Sequence, residues 1–175
     1  CLGGSRSFIG GGIDNKLSGS RGVIVGGSTN SSIDNSNDDF VIVGGLCNTN
    51  CADFTFIGAG CQNTVTANYA TIVGGSKNTG SGAYSGILGG INNYISHARS
   101  YIIGSNICST AADTTFVNNL NISGSITHGN AADGFIILTH VSESLNFADD
   151  TAAAAGGVPL GGLYRSGNVI SIRIE

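Results

Sequence analysis

The sequence predicts an all-β protein: a β-solenoid of 15-residue coils over residues 1–110, then a small β-rich C-terminal domain containing a short helix over 111–175. Three observations carry that prediction. A short motif led by isoleucine recurs seven times at nearly constant spacing, glycine supplies 29 of 175 residues against a single proline, and the last residues alternate apolar and polar as a strand does. The glycines do not fall at every third position, so collagen is excluded, and with 10% charged residues the composition is not that of a highly charged disordered chain. A length of 175 residues suits one or two small domains rather than a large enzyme with separate lobes.

The repeat reads IGGGIDN at 9–15, IVGGSTN at 24–30, IVGGLCN at 42–48, IGAGCQN at 57–63, IVGGSKN at 72–78, ILGGINN at 87–93 and a decayed IIGSNIC at 102–108. Its leading residues, Ile9, Ile24, Ile42, Ile57, Ile72, Ile87 and Ile102, are spaced 15, 18, 15, 15, 15 and 15 apart. Helical repeats need about 20 residues or more, whereas fifteen suit one coil of two short strands and two turns. Coils stacking at the ~4.8 Å strand spacing give a rod of roughly 35 Å. The isoleucines then form an internal ladder, each burial worth roughly 1.5–3 kcal/mol. The small pair that follows, such as Gly44 and Gly45, supplies a tight turn with positive φ. Asn15, Asn30, Asn48, Asn63, Asn78 and Asn93 occupy a place where a side chain caps a turn or joins a hydrogen-bonded ladder.

Residues on either side of the ladder face outward, because strand side chains alternate. After the isoleucine stand Val25, Val43, Val73, Leu88 and Ile103; before it stand Phe8, Val23, Val41, Phe56 and Tyr101. Two continuous apolar stripes invite aggregation unless covered, so the expectation is burial against other copies of the chain. The 18-residue step holds an insertion within Ser31 to Asp39 that carries Asp34, Asp38 and Asp39. Insertions of this kind map to surface loops, which makes Asp38 and Asp39 candidate contacts, while the spacing is not that of a calcium loop.

The repeat is expected to stop after Thr110. FVNNLNISGSI at 116–126 reads as a short strand connection, His128 to Asp133 as a polar turn, and FIILTHV at 135–141 as an apolar strand. Asp149 and Asp150 before TAAAA predict an N-capped short helix stopped by Gly156 and Gly157. From 163 to 175 a hairpin is predicted, turning at Ser166, Gly167 and Asn168, after which Ile170, Ile172 and Ile174 alternate with Ser171, Arg173 and Glu175. Such a domain would close the open end of the solenoid, where strand edges are otherwise unpaired.

Chemistry-bearing patterns are sparse. Seven basic residues scattered singly in a chain of net charge −4 leave no positive stripe, which excludes nucleic acid as a partner. No run of about 18 apolar residues occurs, so no membrane insertion is expected. Five cysteines at irregular gaps complete no metal set, and no phosphate or dinucleotide loop is present, so neither metal nor cofactor is expected. His97, His128 and His140 form no triad with neighbouring residues, and the chain does not read as an enzyme. Thr49, Thr64 and Thr79 make a short hydroxyl column, but Lys16, Ser31, Tyr94 and Ser109 interrupt it, which argues against an ice-binding array. The chain opens at Cys1 without methionine, as a fragment of a longer product would.

The repeated IxGGxxN unit resembles the left-handed β-roll heads of trimeric autotransporter adhesins and, more closely, repeats of phage tail fibres. The segment LNFADDTAAAAGGVPLGGLYRSG through ISIRIE is similar to a tail-fibre tip module. The resemblance implies a parallel homotrimer, side by side or intertwined, located on a virion tail fibre or another extracellular surface. It implies attachment to a host cell-surface glycan or protein. Loop positions are the expected contacts: His128, Asn130, Tyr164 and Arg165 in the distal domain, and Asp38 and Asp39 in the insertion. The alternatives are a structural spacer, or a bacterial adhesin head without its own receptor site.

Overall fold

The structure is a computed structural model that describes residues 5–33, 39–121, 123, 147–158, 163–166, 169–172 and 174. The described residues are all-β apart from one short helix, and the first compact unit, Cys1–Asn121, is a parallel β-solenoid. Eight strands form one sheet in the order of the coils: β1 (Phe8–Ile9), β2 (Val23–Ile24), β4 (Val41–Ile42), β6 (Phe56–Ile57), β8 (Thr71–Ile72), β10 (Gly86–Ile87), β12 (Tyr101–Ile103) and β13 (Thr115–Val117). A five-stranded sheet holds β3 (Ser31–Ser32), β5 (Thr49–Asn50), β7 (Thr64–Val65), β9 (Thr79–Gly80) and β11 (Tyr94–Ile95). A third file of parallel bridges links Ile13, Ser28, Leu46, Cys61, Ser76 and Ile91 between the two.

Register is set column by column. Ile9 pairs with Ile24, Ile24 with Ile42, and so on to Ile102, and from Ile24 to Ile102 the column is fully buried. Alongside runs the asparagine column. Asn48 Nδ2 donates to Gly44 O of its own coil (2.9 Å) and to Gly60 O of the next (3.0 Å), while its Oδ1 accepts the backbone N–H of Asn63 (3.0 Å). Asn30, Asn63 and Asn78 repeat these bonds, so a buried amide side chain is satisfied at each coil. Burying an amide without such partners would cost about 1–3 kcal/mol.

Two further interior columns trade volume. In successive coils Leu17 sits with Gly22, Ser32 with Phe40, Val65 with Ala70, Gly80 with Ser85 and Ile95 with Ser100, all buried. A Cβ on Gly22 would collide with the Phe40 ring, which is buried beside it. In four of these five coils a large residue stands beside a small one, which fits the interior packing density of a thin layer; Gly80 and Ser85 are both small. Where both members are polar, Thr55 Oγ1 donates to Asn50 Oδ1.

The repeat runs further than the sequence reading placed it. Residues 116 and 117 are not a connection: Phe116 stands against Ile102 as the eighth rung, and the unit ends at Asn121 rather than 110. Phe116 lies 14 residues after Ile102, because Gly104 alone stands where earlier coils have two small residues. That deletion also brings Cys108, not Ser109, opposite Tyr94, and turns Ser109 inward where it is buried. Beyond this rung the Asn118 side chain both accepts from Ser105 N (2.6 Å) and donates to Ser105 O (3.1 Å), standing in for a further coil.

The second unit, Ile122–Glu175, contains α1 (Asp150–Ala155), capped by the Asp149 carboxylate accepting from Ala152 N at 2.9 Å. It also contains the hairpin of β14 (Leu163–Ser166) and β15 (Val169–Ile172), closed by the pair Ser166 and Val169. The expected strand at 135–141 and polar turn at 128–133 lie outside the described residues.

The ladder makes a direct demand on stability. Ile72→Ala removes a fully buried side chain flanked by isoleucines above and below, and thermal or chemical unfolding is expected to show a loss of about 2–5 kcal/mol. Gly45→Ala is expected to disrupt folding outright. Gly45 has φ +91°, and an added Cβ would run into Gly60 O and the Asn48 amide.

Candidate functional site

Outside the core the coils present three distinct surfaces. The eight-stranded sheet turns apolar columns outward: Val25, Val43, Val73, Leu88 and Ile103 on one side of the ladder, Phe8, Phe56 and Tyr101 on the other, all exposed. Around the glycine corner, Ile13, Leu46 and Ile91 add three more exposed apolar side chains, in a file shared with Ser28, Cys61 and Ser76. The five-stranded sheet, in contrast, shows Thr49, Thr64 and Thr79 with Thr66, Ser81 and Ser96, and Thr66 Oγ1 donates to Ser81 Oγ at 2.8 Å.

The third surface is a ridge formed by the residue three before each ladder position. Arg6, Arg21, Asp39, Phe54, Tyr69, Tyr84, Arg99 and Asp113 all have φ between 52° and 62°. This left-handed turn aims each N–H back at the preceding coil, as when Tyr69 N donates to Asp53 O and Arg99 N to Ala83 O. A non-glycine residue there costs roughly 1–2 kcal/mol. Contacts between rungs offset that cost. Arg21 forks onto Asp39 with both bonds at 2.8 Å, and Arg99 does the same to Asp113. Between these pairs Phe54, Tyr69 and Tyr84 stack, with centroids 4.9 and 4.6 Å apart and rings within 5° of parallel. Both faces of the Tyr69 ring are therefore covered, leaving edges and hydroxyls to solvent, so a sugar ring cannot stack on its face.

The receptor contacts expected from the sequence distribute unevenly over this geometry. Asp39 belongs to the ridge and is engaged by Arg21. Tyr164 and Arg165 lie on β14, pairing with Ser171 and Ile170. Asp38, His128 and Asn130 lie outside the described residues. The ridge itself was missed. Its residues keep the repeat spacing, but aromatic, basic and acidic side chains share one column, so no single residue type announces it.

Reactive groups are few among the described residues. His97 Nδ1 lies 2.9 Å from Ser109 Oγ, a spacing that would suit a base and nucleophile. Ser109 is buried, however, and its Oγ already accepts from Ser96 N and His97 N. Ser32 makes the same pair of bonds to Ser18 N and Gly19 N with no histidine present, so the arrangement caps a turn. Cys47, Cys61 and Cys108 are free thiols. Among the described residues no group of three or more His, Cys, Asp or Glu could hold a metal ion, and no helix is long and apolar enough to cross a membrane. No family model, curated protein or solved structure matches the chain.

The ridge generates two tests. The hydrogen bond from Arg21 lowers the pKa of Asp39, opposed by burial and aided by the charges of Arg21 and Arg6; the hydrogen bond from Arg99 does the same for Asp113. A carboxylate with a depressed folded pKa adds stability above its ordinary value of about 3.9, and that stability is lost as pH falls through the folded value. Tm measured from pH 5 downward is expected to fall, and to fall less steeply in the double variant Asp39→Asn, Asp113→Asn. Tyr69→Asn keeps a residue that tolerates left-handed backbone yet removes the central ring, and is expected to lower unfolding stability by about 1–3 kcal/mol.

Proposed function

We propose that the chain is the distal part of a viral tail fibre, working as a parallel homotrimer that attaches to a host cell surface. The observation carrying this reading is the length of outward apolar surface along the solenoid. Eight rungs in register make a stiff segment whose Val, Leu and Ile columns call for a cover of equal length. Copies of the same chain supply such a cover at every rung. The resemblance of the IxGGxxN repeat to left-handed β-roll heads and phage fibres gives the same assembly. The resemblance of residues 145–175 to a fibre tip supports recognition by the second unit.

In this reading the ligand is a cell-surface glycan or protein, and the contacts are side chains whose changes leave the ladder undisturbed: His128, Asn130, Tyr164 and Arg165 in the second unit, with Asp38 and Asp39 in the insertion. Location on a virion or another extracellular surface follows from that role.

Light scattering on the eluting native protein should give three times the chain mass of 17.5 kDa. The fluorescently labelled protein should bind intact host cells or a glycan array, and Tyr164→Ala with Arg165→Ala should weaken that binding at least tenfold. A trimer that binds no cell and no glycan would leave a structural spacer; a monomer would remove the fibre reading altogether.

A further inference from the structure

The two glycines at each coil corner have different causes. The second of each pair, as at Gly45 and Gly75, has φ +91° and lies against the next coil, so the fold itself requires it. The first of each pair does not. A Cβ built on Gly11, Gly26, Gly44 or Gly89 meets nothing within 4 Å, one on Gly74 meets only Ala59 O at 3.9 Å, and none of the five has positive φ. Ala59 occupies the same place in the remaining full coil, so a side chain is compatible with the local backbone. Glycine also loses more conformational entropy on folding than alanine, by roughly 0.5–1 kcal/mol. Among the described residues nothing accounts for five glycines there.

Exposed apolar side chains flank this column on both sides, on the far side shared with Ser28, Cys61 and Ser76. Val25, Val43, Val73, Leu88 and Ile103 border it on the eight-stranded sheet, and Ile13, Leu46 and Ile91 border it beyond the corner, each between 42% and 66% exposed. With Phe8, Phe56 and Tyr101 they make eleven exposed large apolar side chains per copy, arranged in columns along the rungs rather than scattered singly as on an ordinary monomer. The ridge with its Arg–Asp pairs and the hydroxyl-bearing sheet lie on other sides of the coil.

We infer that copies of this chain meet corner to corner, with the first-glycine column nearest the symmetry axis and the two apolar strips beside it packing onto neighbouring copies. The inference rests on the homotrimer proposed above and adds which faces are buried. Narrow corners let three backbones approach a common axis. One strip of each copy, on the sheet, then meets the other strip, beyond the corner, of the next copy, as a cyclic assembly requires. The ridge and the hydroxyl sheet are left facing out.

The test uses the full chain with its five cysteines changed to serine and one cysteine introduced at a time. Gly44→Cys and Gly74→Cys place thiols at the corner, and Thr64→Cys places one on the five-stranded sheet. A disulfide needs Cα atoms within about 7 Å, so mild oxidation should link up to two of every three chains at 44 and at 74 and essentially none at 64. Gly44→Trp should convert the assembly to monomers by light scattering, with the circular-dichroism spectrum unchanged. A trimeric mass without links at 44 or 74, or with links at 64 instead, would overturn the corner assignment and leave the trimer standing. A monomeric mass for the cysteine-free parent and for the native chain would overturn both.

Discussion

Every feature of the solenoid depends on one constraint: equivalent residues of successive coils must lie directly above one another. The corner enforces this. The second glycine of each pair sits so close to the carbonyl of the next coil's second glycine that no Cβ fits, and the asparagine three residues on binds both that carbonyl and the carbonyl of its own first glycine. A slip of one residue would carry the asparagine amide out of the corner and break its bonds at every layer. Hydrophobic burial drives the stacking, but the polar column fixes its register, since isoleucine packs on isoleucine with little regard for small shifts.

Register has consequences at the surface. Once the interior columns are fixed, the outward residues are columns too, so a preference repeated in sequence becomes a continuous strip in space. Apolar strips flank the glycine corner, hydroxyls occupy the second sheet, and charge pairs and stacked rings crown the ridge. Segregation of this kind is unusual for a protein solvated on all sides, where apolar side chains are scattered. It is the expected division of labour when one side of each coil meets other copies and the rest meets water or a ligand.

Much of the fold was legible because one residue type dominates each of two interior columns, isoleucine in one and asparagine in the other. Isoleucine at a fixed interval gave the coils and their parallel pairing, and the helix from 150 to 155 and the final hairpin followed from a capping aspartate and an alternating pattern. The eighth rung was hidden because Phe116 replaces isoleucine and one glycine is missing before it, which together erase both the letter and the spacing. The ridge was hidden for another reason: its members are alike in backbone conformation and position, not in chemistry. The difference between the two corner glycines is invisible in sequence, where both read as turn residues. Only the space around each one separates the glycine that the coil needs from the glycine that it does not.

Hydroxyl-radical footprinting of the native protein tests the central claim, that the apolar strips are covered by copies of the chain, most directly. Val43, Leu46, Val73, Leu88 and Ile91 should be protected relative to their reactivity in the isolated, unfolded chain, while Tyr69 and Tyr84 on the ridge should label readily. Labelling of the strips as strong as that expected for half-exposed aliphatic side chains would contradict the account, because it would mean that water, and no second copy, lies against them.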